Sequence, residues 1–307
     1  MELLTNTKID FIGRRKAAFL LSAGLILLGL VGLVQIWRGA ANLGIDFAGG
    51  TSVQVRFRDP VDLGEVRVAL SKGGVAESDL QQFVGGRRVL VRLKAKGEAA
   101  AGTAARVQEG LRAAFPGNPL EVEGSSEVGP VIGRELQKAA SWAIMLSLVG
   151  IILYIAWRFE FRFGVAATIA TFHDVLAVLG VFYLLGTEIT LLVVTALLTL
   201  AGYSLTDTVV VYDRIRENLR ARRRETLAET INTSINQVLA RTLLTSLTTL
   251  LAVLSLLLVG GEVLRDFALA LFLGILVGSY SSWFVASPIV YEWRLAADRR
   301  RRRPSRA

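Results

Sequence analysis

The chain has no cysteine and a single histidine in 307 residues. Without thiols there is neither a disulfide scaffold nor a thiolate metal site, and one imidazole does not make a histidine-rich one, so no metal centre is expected. No G-x-x-x-x-G-K segment occurs, so the backbone cradle of an ATP-hydrolysing site is missing. Acidic residues are also short, 26 against 35 basic, for a net charge of +9. A surplus of that size would suit nucleic acid, but its distribution argues otherwise. The basic residues stand beside apolar runs, as Arg14-Arg15-Lys16, Arg222 to Arg224 and the run at 299–303. That is the pattern of topogenic charge, and no nucleic-acid partner is expected.

What is abundant is apolar sequence, 52% of the chain with a mean hydropathy of +0.49. A membrane-spanning helix needs ~20 mostly apolar residues. Six segments qualify: 17–37, 139–157, 164–185, 189–212, 238–259 and 266–291. The first is longer than the ~7–15 residues of a signal-peptide core, so it reads as a retained anchor. The N-terminal tail 1–16, the loop 158–163, the segment 213–237 and the tail 292–307 are rich in arginine and lysine, and six spans put all four on one side. Positive residues stay on the cytoplasmic side, so both termini are expected there. The segment 38–138 would be exported, and its near-balanced charge, 14 basic against 12 acidic, suits a translocated domain.

Within that segment, residues 51–58 alternate, with Val53, Val55 and Phe57 on one face of a strand. Asp62 then caps a helix with Glu65 three residues on. A strand near 79–84 meets Val89 to Leu93 across Gly85-Gly86. A second helix starts at Thr103 with Val107, Leu111 and Phe115 on its apolar face, and a last strand lies near 119–123. The order β-α-β-β-α-β predicts a ferredoxin-like domain. It holds no paired carboxylates, nucleophile triad or cofactor motif, so a binding or lever module is expected and not an enzyme.

Charges at membrane depth cost roughly 2.5–3.5 kcal/mol each on insertion scales, so each needs a reason. Asp174, beside His173, falls in the third span, Asp207 in the fourth and Arg241 at the start of the fifth. At 1.5 Å per residue, Asp207 lies about 9 Å and Arg241 about 10 Å from the centre of its span, both toward the cytoplasm. The two are expected to pair, directly or through water. Thr199, Tyr203 and Asp207 share one helix face, while Thr245, Thr248, Thr249 and Ser255 form a hydroxyl stripe beside Arg241. Hydroxyls beside an ion pair can hold water and pass protons, so Asp207, Arg241, Asp174, Tyr203 and Thr245 form the candidate proton relay. The competing reading is a structural bond at Asp207 and an arginine that snorkels to the interface. Gly274, Gly278, Ser282 and Ala286 in the sixth span make a small-residue stripe for close packing. Between the fourth and fifth spans, Thr226 to Glu229 reads as a capping box, followed by an apolar stripe at Leu227, Ile231, Ile235 and Leu239. This predicts a separate amphipathic helix lying at the cytoplasmic membrane surface.

Four segments carry a family resemblance. Gly44-Ile45-Asp46-Phe47-Ala48-Gly49-Gly50-Thr51 resembles the G-I-D-F-x-G-G-T signature of the SecD/SecF proteins. The run from Val128 through Gly129 and Pro130 to Gly133 resembles their motif before the second span, and Phe172-His173-Asp174-Val175 their third-span A-H-D-V. The stretch from Ala201 and Gly202 through Asp207, Asp213 and Arg214 to Asn218 resembles the fourth-span signature of the SecF branch. The short segment between the first two spans also fits that branch. The resemblance implies an accessory subunit of the bacterial Sec translocon in the cytoplasmic membrane, among membrane lipids. Such a subunit pairs with SecD, associates with SecYEG and YajC, and uses protons as coupling ion to help draw unfolded preprotein outward, with no cofactor. The fold it implies is similar to that of the resistance-nodulation-division exporters, and Asp207 and Arg241 fall at the family's proton-relay positions. Thr206 stands where members often have Asn. The rival reading, a small-molecule or lipid exporter of the resistance-nodulation-division type, would normally have twice as many spans and two large exported domains. A pure scaffold would gain little from two membrane charges.

Overall fold

The computed structural model describes residues 7–38, 42–75, 78–83, 85–94, 102–221 and 225–302. The arginines at 222–224 and the end of the basic tail lie outside them. Two compact units emerge, one formed by residues 1–42 and 144–307 and the other by residues 43–143.

The smaller unit opens with a single helical turn, α2 (Ile45–Ala48), followed by β1 (Gly50–Phe57), α3 (Leu63–Lys72), β2 (Asp79–Gln82), β3 (Arg88–Lys94), α4 (Thr103–Ala114) and β4 (Leu120–Val128). The sheet order is β2-β3-β1-β4 with every pair antiparallel. The alternation of β1 decides which face is covered: Val53, Val55 and Phe57 are buried with Val89 and Val91 of β3, while Gln54 and Arg56 point away. Val66 and Leu70 of α3 and Val107 and Leu111 of α4 close the same core. Burying a side chain of this kind contributes about 1.5–3 kcal/mol. Asp62 caps α3 by accepting from the amides of Gly64 and Glu65. The strand expected at 119–123 continues to Val128, because its later half pairs with the start of β1 from Gly50 to Gln54.

The larger unit contains α1 (Arg15–Trp37), and helices α5 (Pro130–Arg158), α6 (Phe161–Leu185), α7 (Leu191–Ala221) and α8 (Leu227–Val259) follow β4 in the chain. The last span is α9 (Glu262–Ser281), a π-helical turn (Ser282–Ala286) and α10 (Ser287–Arg302) in one run. Among the described residues, six helices are long and apolar enough to cross a membrane. Helix α5 begins at Pro130, earlier than the apolar run suggests, since proline at the first helical position loses no intrahelical hydrogen bond.

The expected surface helix before the fifth span is not separate. The capping box at Thr226 and Glu229 is present, yet α8 continues from it unbroken to Val259. Ile231, Ile235 and Leu239 are buried in a cluster with Phe11, Ile12, Tyr212 and Ile215, so protein and not membrane surface covers the stripe. The cause lies upstream: α7 runs on to Ala221, giving the start of α8 a partner.

The π turn has a local reason as well. Pro288 offers no N–H to the residue four before it, and its ring crowds that carbonyl. The wider turn relieves the clash, and the Ser287 hydroxyl satisfies the Ser282 carbonyl at 2.9 Å.

Candidate functional site

The ionisable groups of the larger unit meet where α6, α7 and the last span pack together. Asp174 is 0% exposed and accepts from three partners. His173 Nδ1 lies 2.8 Å from its Oδ1, Ser281 donates to Oδ2 at 2.8 Å, and Ser204 donates to the same oxygen. A buried carboxylate is tolerable only when hydrogen bonded, and three donors around one acceptor-only group meet that need. His173 is equally buried, and its Nε2 has no hydrogen-bond partner among the described residues. Tyr280 faces the imidazole with ring centroids 6.3 Å apart, and its hydroxyl donates to the Ala18 carbonyl of α1 at 2.8 Å.

A second polar level follows one turn along α7. Thr208 and Ser282 hydroxyls lie 3.0 Å apart, and Tyr212 donates to the Ala286 carbonyl at 3.0 Å. The small-residue stripe of the last span makes this approach possible. A Cβ at Gly278 would stand 3.2 Å from Ser204 Cβ and 3.7 Å from the Asp174 carboxylate. A four-residue repeat runs ahead of a 3.6-residue turn, and the wider π turn keeps Ser282 and Ala286 facing α7.

Asp207 sits beside this level, half-buried, and its Oδ2 is enclosed with no hydrogen-bond partner among the described residues. The expected ion pair with Arg241 is absent among the described residues, and Arg241 is exposed. Equal depth does not fix direction around a helix axis. Helix α8 turns Thr242 and Ser246 inward, Ser246 meeting Ser279 of α9 at 2.7 Å, and leaves Arg241, Thr245 and Thr248 on its exposed side. The hydroxyl stripe is likewise no cross-helix network. Thr245, Thr248, Thr249 and Ser255 each bond a carbonyl of their own helix three or four residues back, the usual outlet for such residues in a helix. Only Tyr203 reaches over, 3.5 Å from Thr249 Oγ1. The sequence reading gives Ser204, Thr208 and Ser281 no polar role and Ser282 a packing role alone. The signal is partial, a hydroxyl in the packing stripe at Ser282 and one next to Asp207 at Thr208, and it is readable only once the stripe is known to face a carboxylate.

The other motif residues are structural in this arrangement. Gly44 caps α2, and the two glycines after it take positive φ, 73° at Gly49 and 143° at Gly50, which side chains rarely adopt. A Cβ on Gly49 would lie 3.2 Å from Pro130 Cα, and one on Gly133 would lie 3.0 Å from the Phe47 carbonyl. Gln137 donates to that carbonyl at 2.8 Å. The turn carrying Asp46 therefore packs directly on the Gly129-Pro130 start of α5. Gly202 faces open space. Asp213 accepts from Arg158 at 2.5 Å, and Arg214 and Asn218 tie α7 to Gln237 and Ser234 of α8.

These features define a class: a six-span helical membrane protein with a small α/β unit after its first span and ionisable groups enclosed among its helices. The chain belongs to the SecD/SecF family. The family described as "Protein export membrane protein SecD/SecF, C-terminal" matches residues 111–296, and the SecD/SecF GG motif matches residues 41–61. The chain is 51% identical over 292 residues to the protein translocase subunit SecF of Thermodesulfovibrio yellowstonii, covering 94% of this chain and 96% of that one. It is 46% identical over 290 residues to SecF of Magnetococcus marinus, covering 94% and 92%. Among solved structures it resembles SecDF from Thermus, described as a translocon-associated membrane protein, at 41% identity and a TM-score of 0.81. That likeness covers 96% of this chain and 40% of the SecDF chain.

Proposed function

We propose that this chain is an accessory subunit of the Sec protein translocase, working with SecD beside SecYEG and YajC to move unfolded preprotein outward under the proton-motive force. Its SecF relatives and the SecDF likeness support the translocase role. In this reading the protein lies in the cytoplasmic membrane with both termini inside, and the unit at 43–143 is exported. The β-α-β-β-α-β order and the sheet order β2-β3-β1-β4 support assigning that unit to the ferredoxin-like class. It acts by binding or leverage, without catalysis or cofactor.

Asp207 is the proposed proton carrier, and the observation that carries this is its enclosed, unpartnered carboxyl oxygen beside a fully satisfied Asp174. Asp174 already accepts from three donors, whereas one carboxyl oxygen of Asp207 has no partner among the described residues and is open to a proton. Gain of that proton removes a charge at the seam between α7 and the last span, and a group whose packing differs with charge biases two states of the bundle. Arg241 acts as the second member when the helices shift and its side chain turns inward. The test is preprotein export into vesicles with an imposed proton gradient. Asp207→Asn should abolish gradient-stimulated export while the protein remains folded and bound to SecD, and export equal to wild type would refute the role.

A further inference from the structure

Away from the relay, three arginines from three helices converge at one end of the larger unit. Arg158 ends α5, Arg216 lies on the extension of α7, and Arg294 lies on α10. The guanidiniums of Arg158 and Arg216 stand 5.0 and 5.8 Å from the Phe159 ring centre, and that of Arg294 stands 5.3 Å from the Phe163 ring. Both rings pack edge-on against Tyr212, at 6.0 and 5.0 Å, so the three cations sit on one aromatic cluster.

Their acceptors do not match them. Arg158 takes Asp213 at 2.5 Å. Arg216 then reaches the other oxygen of Asp213 only at 3.9 Å, and Arg294 reaches Glu160 only at 3.8 Å. Both separations exceed hydrogen-bonding distance. The Nε atoms of Arg216 and Arg294 are buried and without a partner among the described residues. Two guanidiniums are thus held in place by ring contacts, with no oxygen of the described residues within hydrogen-bonding distance, and their side chains stay 23% and 27% exposed. Beside them, Trp157 and Phe161 are 84% and 76% exposed at the junction of α5 and α6, apolar surface next to the arginine cluster. Aromatic side chains at a span end mark the headgroup level of a bilayer.

We propose that this cluster binds the phosphate group of an anionic phospholipid, with Arg216 and Arg294 as the donors and Trp157 and Phe161 against the acyl chains. Bound there, the lipid bridges α7 and α10 through the exposed ends of the two guanidiniums, which Asp213 and Glu160 leave without a hydrogen bond. The proposal needs only that the helices span a bilayer, and it is independent of the proton relay.

The test uses the purified full chain in detergent, titrated with phosphatidylglycerol or phosphatidylcholine and followed by native mass spectrometry. Wild type should retain phosphatidylglycerol at lower concentration than phosphatidylcholine. Arg216→Gln with Arg294→Gln should weaken retention of the anionic lipid by about thirtyfold, the scale expected when two surface cations are removed. Arg216→Lys with Arg294→Lys keeps charge without the fork and should lose part of the preference while preserving the helical circular dichroism signal. If the glutamine pair misfolds, the lysine pair decides. Equal retention of the two lipids by wild type, or an unchanged preference in the folded variants, would overturn the proposal. Displacement of the lipid by millimolar inorganic phosphate would also overturn it, by making free phosphate the occupant.

Discussion

Asp174 and Asp207 lie near one another in the bundle, yet their surroundings ask different things of them. Asp174 anchors three donors from two other elements and its own neighbour, so its removal should be felt as lost structure. Asp174→Ala strands the Ser204 and Ser281 hydroxyls and the His173 imidazole in a closed site. Each stranded group costs about 1–3 kcal/mol, and thermal unfolding in detergent should show a clear loss of stability. Arg241 makes the opposite case. It is exposed and has no ion pair among the described residues, so Arg241→Met should leave thermal stability within about 0.5 kcal/mol of wild type. Export under a proton gradient should nevertheless fall to background, because the proposed relay needs the cation. A folded Arg241→Met protein with normal export would return Arg241 to the role of an interfacial charge.

At the scale of elements, the helices approach most closely where side chains are missing. Helices α1 and α6 cross at Gly29 and Gly180, where a Cβ on Gly29 would stand 2.2 Å from the Leu176 carbonyl oxygen. Backbone cannot yield as a side-chain tip can, so Gly29→Ala should cost about 1–3 kcal/mol, measurable as a lowered melting temperature. The segment before α1 is held by α8 in another way. Asn232 accepts from the amides of Phe11 and Ile12, both at 3.0 Å, and Asn236 exchanges two bonds with Ile9. Phe11 and Ile12 are buried against α8 and the last span as a result. Asp10 joins this clasp, and the Gly13 amide and Asn232 hold its carboxyl below the usual carboxylate range. A lowered folded-state value means that its contribution is present above the ordinary carboxylate range and lost as pH falls through the lowered one. Pepsin cleavage within residues 7–14 should therefore rise as pH drops through that window, and Asp10→Asn should flatten the dependence.

For the whole molecule, the two compact units predict separable behaviour. A fragment of residues 45–127 should fold alone with mixed helix and strand signal, because its core of β1, β3, α3 and α4 is closed within it. Leu111→Ala in that fragment should cost about 2–5 kcal/mol by urea unfolding, as for other buried leucines. Topology is tested by a reporter that works only outside the cytoplasm. It should be active when fused near residue 97 and silent when fused after residue 224, both positions lying outside the described residues. Activity at both would contradict six spans with cytoplasmic termini.

The sequence by itself determined six apolar helices, the α/β unit after the first, and the ionisable residues buried among the spans. Those are properties of single segments, since hydropathy, strand alternation and a capping box each act within a few residues of where they are written. Depth could also be read along each helix, but depth says nothing about which way a residue faces, and Arg241 lies on the exposed side of α8. Which groups meet was decided by tertiary structure. Direction around a helix axis depends on every neighbour at once, and α8 turns Thr242 and Ser246 inward while Arg241 points out. Asp174 found Ser204 and Ser281 because Gly278 lets two helices close over it. The stripe of α8 went to a protein partner because α7 ran on far enough to cover it, and no pattern within α8 distinguishes that partner from a membrane surface.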